Sequence, residues 1–260
     1  MEVIAEKAET PSLIDKVFSK ELLKTLYYHA CRIDISNNNI KAEIVLRLLG
    51  PEFIDIGTGT NRIAVTYSPG PDRKFRGGAG LIYKIALDRR GFIDNWTAFK
   101  RSIECPNYFP HVYESNMLVI CEEYVNLMDE TEFRMNKDQI LEVLEDLSHD
   151  YIFEDLGWDL KNYENWGYRD NGDIVALDIG YVFPIRNNER ALTCPKCSGQ
   201  LKPNSVYTGF VCQNPTCRTK YNFLDVRRQM NTELEDQEDK MLLAARDCEV
   251  PDFDRLNITG

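Results

Sequence analysis

No run of about 18 apolar residues occurs in the 260-residue chain, so no transmembrane helix is expected. The opening stretch "MEVIAEKAET" is acidic and lacks the apolar centre of a signal peptide. A cytoplasmic protein is therefore expected. Positive charge is in deficit, with 31 Lys and Arg against 42 Asp and Glu and a net charge of −11. That balance argues against non-specific binding of DNA or of a membrane surface by the whole molecule. No internal repeat is present. What is present is 43% hydrophobic residues and 28% charged residues, the composition of a globule of one or two domains with a real core.

Periodicity divides the chain. Residues 12–30 carry Leu13, Val17, either Leu22 or Leu23, and Leu26 at helical spacing behind a Ser in N-cap position. Lys16, Lys20 and Lys24 form the solvated face of that helix. Residues 39–49 predict a second, shorter helix. "EFIDIGTGTNRIAVTYS" then alternates and predicts strand, turn, strand. "LIYKIAL" predicts a third strand, "DNWTAFKRSIE" a helix from about Asn95, and "HVYESNMLVICEEYV" two strands around a turn. "NKDQILEVLEDLSHDYIF" predicts an amphipathic helix with Ile140, Val143, Leu144, Leu147 and Tyr151 on one side. A hairpin around "RDNGD" and a strand in "IVALDIG" follow. "NNER" marks a linker, and the C-terminal stretch around "ELEDQED" predicts a partly amphipathic acidic helix.

Three features carry chemistry. Lys84 sits in an otherwise apolar strand, where an ammonium is costly unless paired. Gly57 and Gly59 lie in a turn between strands, which suits either a tight hairpin or close approach to a phosphate. Asp178 stands at the end of an apolar strand, with Asp159 and Asn165 upstream.

Together these parts resemble the protein-kinase-like superfamily, in the compact form of phage and bacterial proteins, over roughly residues 50–185. "IDIGTGTNRIAV" resembles the glycine loop, "LIYKIAL" the lysine strand and "ICEEYV" the hinge. "DLKNYENWG" resembles the catalytic loop and "LDIG" the metal-binding Asp-Phe-Gly. The resemblance implies that Gly57, Gly59 and Lys84 contact ATP, that Asn165 and Asp178 hold Mg²⁺, and that Asp159 orients the attacking hydroxyl. It also shows departures. The kinase pattern puts its catalytic Asp five positions before the metal-binding Asn; here Asp159 is six before Asn165 and Glu164 is adjacent to it. No His-Arg-Asp occurs. "NWTA" places Ala98 where compact relatives carry the Glu that orients the lysine, and Glu104 lies six residues further on.

The eight cysteines fall into two groups. Cys31, Cys105, Cys121 and Cys248 are scattered. Cys194, Cys197, Cys212 and Cys217 are spaced as Cys-x₂-Cys, fourteen residues, Cys-x₄-Cys. In a reducing compartment that crowding means metal rather than disulfides. It resembles a zinc ribbon, with all four ligands supplied by protein and the Zn²⁺ structural. Lys and Arg outnumber acids over residues 189–228, a basic patch that the acidic tail could cover.

The expected organisation is thus α+β. An N-terminal helical segment (1–49) leads into a bilobal kinase-like domain (50–188), with a small antiparallel-sheet lobe and a reduced helical lobe. A zinc ribbon (189–228) and an acidic tail (229–260) follow. Two functions stand open: an ATP-dependent phosphotransferase whose ribbon docks a protein substrate, and a non-catalytic kinase-like scaffold that binds a protein partner such as transcription machinery. Nucleic acid is the less favoured partner.

Overall fold

A computed structural model describes residues 12–32, 35, 37–69, 80–153, 162–177, 182–184, 193–203, 209–222 and 258–259. The fold is mixed α+β, and every strand pairing in it is antiparallel.

The helix expected over 12–30 starts later. Residues 13–17 form turns, and α1 spans Lys20–Arg32. Ser12 and Ser19 each accept a backbone N–H three residues on, from Asp15 and Leu22. These two local caps divide the segment. Lys16, Lys20 and Lys24 are exposed, as expected. Asn37 caps α2 (Asn38–Leu49) by accepting from the amides of Asn39 and Ile40.

The sheet comprises β1 (Phe53–Thr58), β2 (Arg62–Tyr67), β3 (Leu81–Ala86), β4 (Val112–Ser115), β5 (Val119–Glu123) and β14 (Ile258–Thr259), ordered β1-β2-β3-β5-β4-β14. Its apolar face packs on the N-terminal helices. Ile14, Phe18, Leu23, Leu26 and Val45 share one core with Ile63, Val65, Tyr83 and Ile85. Burying such side chains stabilises by roughly 1.5–3 kcal/mol each.

Helix α3 spans Arg89–Glu104, beginning six residues before the Asn95 start expected from sequence. Asp88 caps it by accepting from the Gly91 amide at 3.0 Å. Asn95 is fully buried and donates to the carbonyls of Met117 (2.8 Å) and Leu118 (3.1 Å), which ties α3 to the turn between β4 and β5.

Beyond β6 (Asn126–Leu127) lie α4 (Glu130–Met135) and α5 (Lys137–Asp150). Asp129 and Glu132 form a reciprocal capping box at the start of α4. Ile140, Leu144 and Leu147 are buried as the periodicity predicts, against Trp166 and Ala176. Tyr151 belongs to β7 (Tyr151–Phe153), which pairs with β10 (Val182–Pro184). The expected hairpin joins β8 (Trp166–Tyr168) to β9 (Ile174–Ala176), and its turn holds Gly172 at φ +90°. A separate three-stranded sheet, β11 (Leu201–Pro203), β12 (Gly209–Cys212) and β13 (Lys220–Asn222), carries the clustered cysteines.

Candidate functional site: a cleft and a thiol cluster

Two sites emerge, and each is assembled by backbone pairing. The first is a cleft of about 600 Å³ between the large sheet and the segment around Asn165. Gly57, Gly59, Lys84 and Asn165, four residues singled out in the sequence, all line it. So do Glu122 and Glu123 at the end of β5, Tyr124 and Val125 after it, and Leu177 beyond β9. Asp159 and Asp178 lie outside the described residues; Asp178 follows Leu177 in the sequence.

The β1–β2 hairpin forms one rim. Its register shifts between Asp55 and Gly57, leaving Ile56 as an extra residue. The Gly59 amide donates to the Arg62 carbonyl at 2.8 Å and closes the turn. Neither Gly57 nor Gly59 has a left-handed φ, and a Cβ on Gly57 would meet nothing within 4 Å. The turn therefore does not itself require Gly57. The missing side chain leaves bare backbone facing the cleft.

Lys84 has a counter-charge. Its Nζ lies 2.7 Å from Oε1 of Glu122, with the two side chains 15% and 5% exposed. Register explains the meeting. Lys84 pairs with Ile120 and Ile82 with Glu122, so Lys84 and Glu122 are diagonal neighbours on one face of the sheet. Ala98 packs near Phe99, Val112 and Ile120, and Glu104 is exposed at the end of α3. Glu122 is the residue that reading the sequence missed. Its signal was the same anomaly that marks Lys84: a charge inside the apolar strand "LVICEEYV".

The neighbouring carboxylate is held differently. Oε1 of Glu123 accepts from the His111 amide at 2.9 Å and from Nε of Arg169 at 2.7 Å. Below the cleft, Tyr163–Asn165 form a 3₁₀ turn capped by Asn162. The Asn165 carbonyl accepts from the Leu177 amide at 2.8 Å. That bond joins the Asn165 segment to the end of β9 at the cleft floor.

The second site is the thiol cluster. The sulfurs of Cys194, Cys197, Cys212 and Cys217 all lie within 4.8 Å of one another. Cys194 and Cys217 are 3.7 Å apart, and Cys197 and Cys212 are 3.4 Å apart. A tetrahedral zinc with Zn–S near 2.3 Å requires S–S edges of about 3.8 Å, so the donor set fits a four-thiolate metal ion. The two knuckles share a construction. The residue after the second cysteine, Ser198 in one and Arg218 in the other, takes a left-handed φ of 54° and 43°. The Ser198 amide donates to Cys194 and the Arg218 amide to Asn214. Gly199 lies between them; a Cβ there would come 3.1 Å from the Cys212 sulfur and 3.3 Å from that of Cys197.

Burial pushes the Cys212 thiol up to about 12. At Cys194 burial acts in the same direction. It is outweighed by hydrogen bonds from the Tyr221 hydroxyl, 3.0 Å away, and from the amides of Lys196 and Cys197, which bring the thiol down to about 6. Cys217 is lowered by the Thr219 hydroxyl and amide. Hydroxyl and amide donors thus already favour thiolate at two of the four sulfurs, as a cation site requires.

No protein-family model matches the chain, and no curated protein matches it. One similar solved structure is the complex of Rv3197 with erythromycin from Mycobacterium tuberculosis. It shows 11% identity and a TM-score of 0.36, covering 69% of this chain and 61% of that one. The chain thus spans less than two thirds of that protein. Among the described residues no helix is long and apolar enough to cross a membrane.

Proposed function

We propose that this chain binds a nucleoside triphosphate with Mg²⁺ in the cleft, as a bilobal protein-kinase-like protein, and docks a protein partner through a structural zinc ribbon. One observation carries the reading. A glycine hairpin, a paired lysine and an asparagine, drawn from three distant stretches of sequence, line a single cleft. In a kinase-like site the glycines approach phosphate, the lysine meets it and the asparagine shares a metal ion with an aspartate. Gly57 and Gly59, Lys84, and Asn165 with Asp178 are the residues for those roles. Asp159 is the candidate to orient an attacking hydroxyl. Mg²⁺ would neutralise phosphate charge beside the carboxylates of Asp55, Glu122 and Glu164, which also line the cleft.

The test is calorimetric titration of ATP with and without Mg²⁺, beside a radiolabel transfer assay. Micromolar to millimolar binding that needs Mg²⁺ and is weakened in Lys84→Ala supports the reading. No binding at millimolar nucleotide removes it.

A second reading, a non-catalytic scaffold, is favoured by one residue. Ala98 packs beside an apolar cluster and supplies no acid from α3 to Lys84. Binding without phosphoryl transfer would select that reading.

For the thiol cluster, the donor set of four close cysteines supports zinc. Four thiolates in a tetrahedron suit Zn²⁺, with no position open for catalysis. Held so, the metal joins the knuckles of the ribbon and gives its small three-stranded sheet a fixed shape for docking.

A further inference from the structure

The cleft lysine is held from an unexpected direction. Lys84 and Glu122 belong to β3 and β5, which are adjacent interior strands of the six-stranded sheet. A continuous ladder runs between these strands, from Leu81 opposite Glu123 to Ile85 opposite Val119. The Nζ–Oε1 contact of 2.7 Å is therefore set by backbone register. Helix α3 contributes no acid to the pair: Asp94 accepts from the side-chain amide of Asn61 at 3.0 Å, Ala98 is packed near Phe99, Val112 and Ile120, and Glu104 is exposed.

We propose that Glu122 is the positioning acid of Lys84, holding the ammonium at the head of the cleft from the neighbouring strand for a phosphate of the bound nucleotide. This rests on the reading of the cleft as a nucleotide site. An ammonium has three N–H donors and a carboxylate only accepts. One donor directed at Glu122 leaves the others for phosphate oxygens. Because the two residues share one ladder, their distance does not change when a packed helix shifts. The lysine is constitutively placed, and movement of α3 does not switch it. Glu122 acts through Lys84 and does not itself touch phosphate, since two anions would repel.

The experiment compares wild type, Glu122→Gln, Glu122→Asp, Lys84→Ala and the Glu122→Gln/Lys84→Ala double variant in the full chain, each first checked for folding by its thermal melt. Two readouts are taken. The first needs no nucleotide: acylation of Lys84 by an amine-selective reagent, followed by peptide mass spectrometry and normalised to exposed Lys24. Glu122→Gln should raise the labelling rate of Lys84 at least fivefold, with Glu122→Asp between it and wild type. Unchanged labelling overturns the inference. The second readout is Mg-ATP affinity. Glu122→Gln should lose at least tenfold, and the double variant should bind no worse than Lys84→Ala alone, because the two act as one unit. Wild-type binding with an unaffected Glu122→Gln overturns the inference and leaves the nucleotide reading standing. Absence of wild-type binding removes the nucleotide reading, and with it the phosphate-positioning role; labelling then decides only whether Glu122 holds Lys84. If Glu122→Gln does not fold, Glu122→Asp carries both comparisons, and wild-type values there overturn the inference.

Discussion

Arg169 reaches Glu123 across the fold. Its Nε donates to Oε1 at 2.7 Å, and the rest of the guanidinium donates to the carbonyls of Pro106, Asn107 and Phe109. One side chain thereby joins the ends of β5 and β8 and the loop after α3. The pair is 17% and 20% exposed, so solvent screens it little. Removing one partner of a mostly buried pair strands the other charge and costs about 3–5 kcal/mol. Arg169→Met should lower unfolding free energy by about that much in urea titrations. Arg169→Lys should recover little, because an ammonium cannot reproduce the planar fork.

Cys197→Ser removes one of the four clustered thiols that could hold a metal ion. Elemental analysis should find one zinc per wild-type chain and a small fraction of that in the variant. Limited proteolysis should then cut within residues 193–222, while the sheet β1–β5 keeps its melting transition. Wild-type protein without stoichiometric metal would contradict the zinc assignment.

Gly91 lies in the first turn of α3, against the Asn61 carbonyl. A Cβ there would also come within 2.8 Å of the Ala86 Cβ. The Asn61 carbonyl already accepts from the Leu87 amide at 2.8 Å, so it cannot move aside without loss. Gly91→Ala should destabilise by about 1–3 kcal/mol despite alanine's higher helix propensity. Chemical denaturation checks the sign.

Cys121 is fully buried. Burial first, then the carboxylate of Glu114, push its thiol from 9.0 up to about 12, although a hydrogen bond with Tyr83 opposes them. Burial raises the Tyr83 phenol as well. A raised acid keeps its proton in the folded state while the unfolded chain releases it. The contribution of Cys121 to stability is therefore fully present below pH 9 and is lost from about pH 9 towards 12. The slope is about 1.4 kcal/mol per pH unit for each such group. Denaturation midpoints across that range should show the fall, with a shallower slope in Cys121→Ala. Thiol reagents at neutral pH should leave Cys121 unmodified in the folded protein.

Much of this was written locally. The alternation of "RIAVTY" and "LIYKIA" and the helical period of Ile140, Leu144 and Leu147 are short-range patterns, and each became the element it predicted; the four spaced cysteines came together in one cluster. The start of α3 was local too, but it was signalled by the Asp88 cap and not by the apolar period. Other features depended on partners far along the chain. Nothing near Lys84 in sequence names Glu122, 38 positions away; strand register alone makes them neighbours. Nothing near Glu123 names Arg169. Tyr151 continues the helical period of α5, yet it pairs in a strand with Pro184. Sequence by itself determined most of which segments become strands, helices and cysteine knuckles, because propensity, capping and cysteine spacing act over a few residues. Tertiary structure decided which charges meet, because a buried charge is satisfied by whatever the sheet register brings within hydrogen-bond reach.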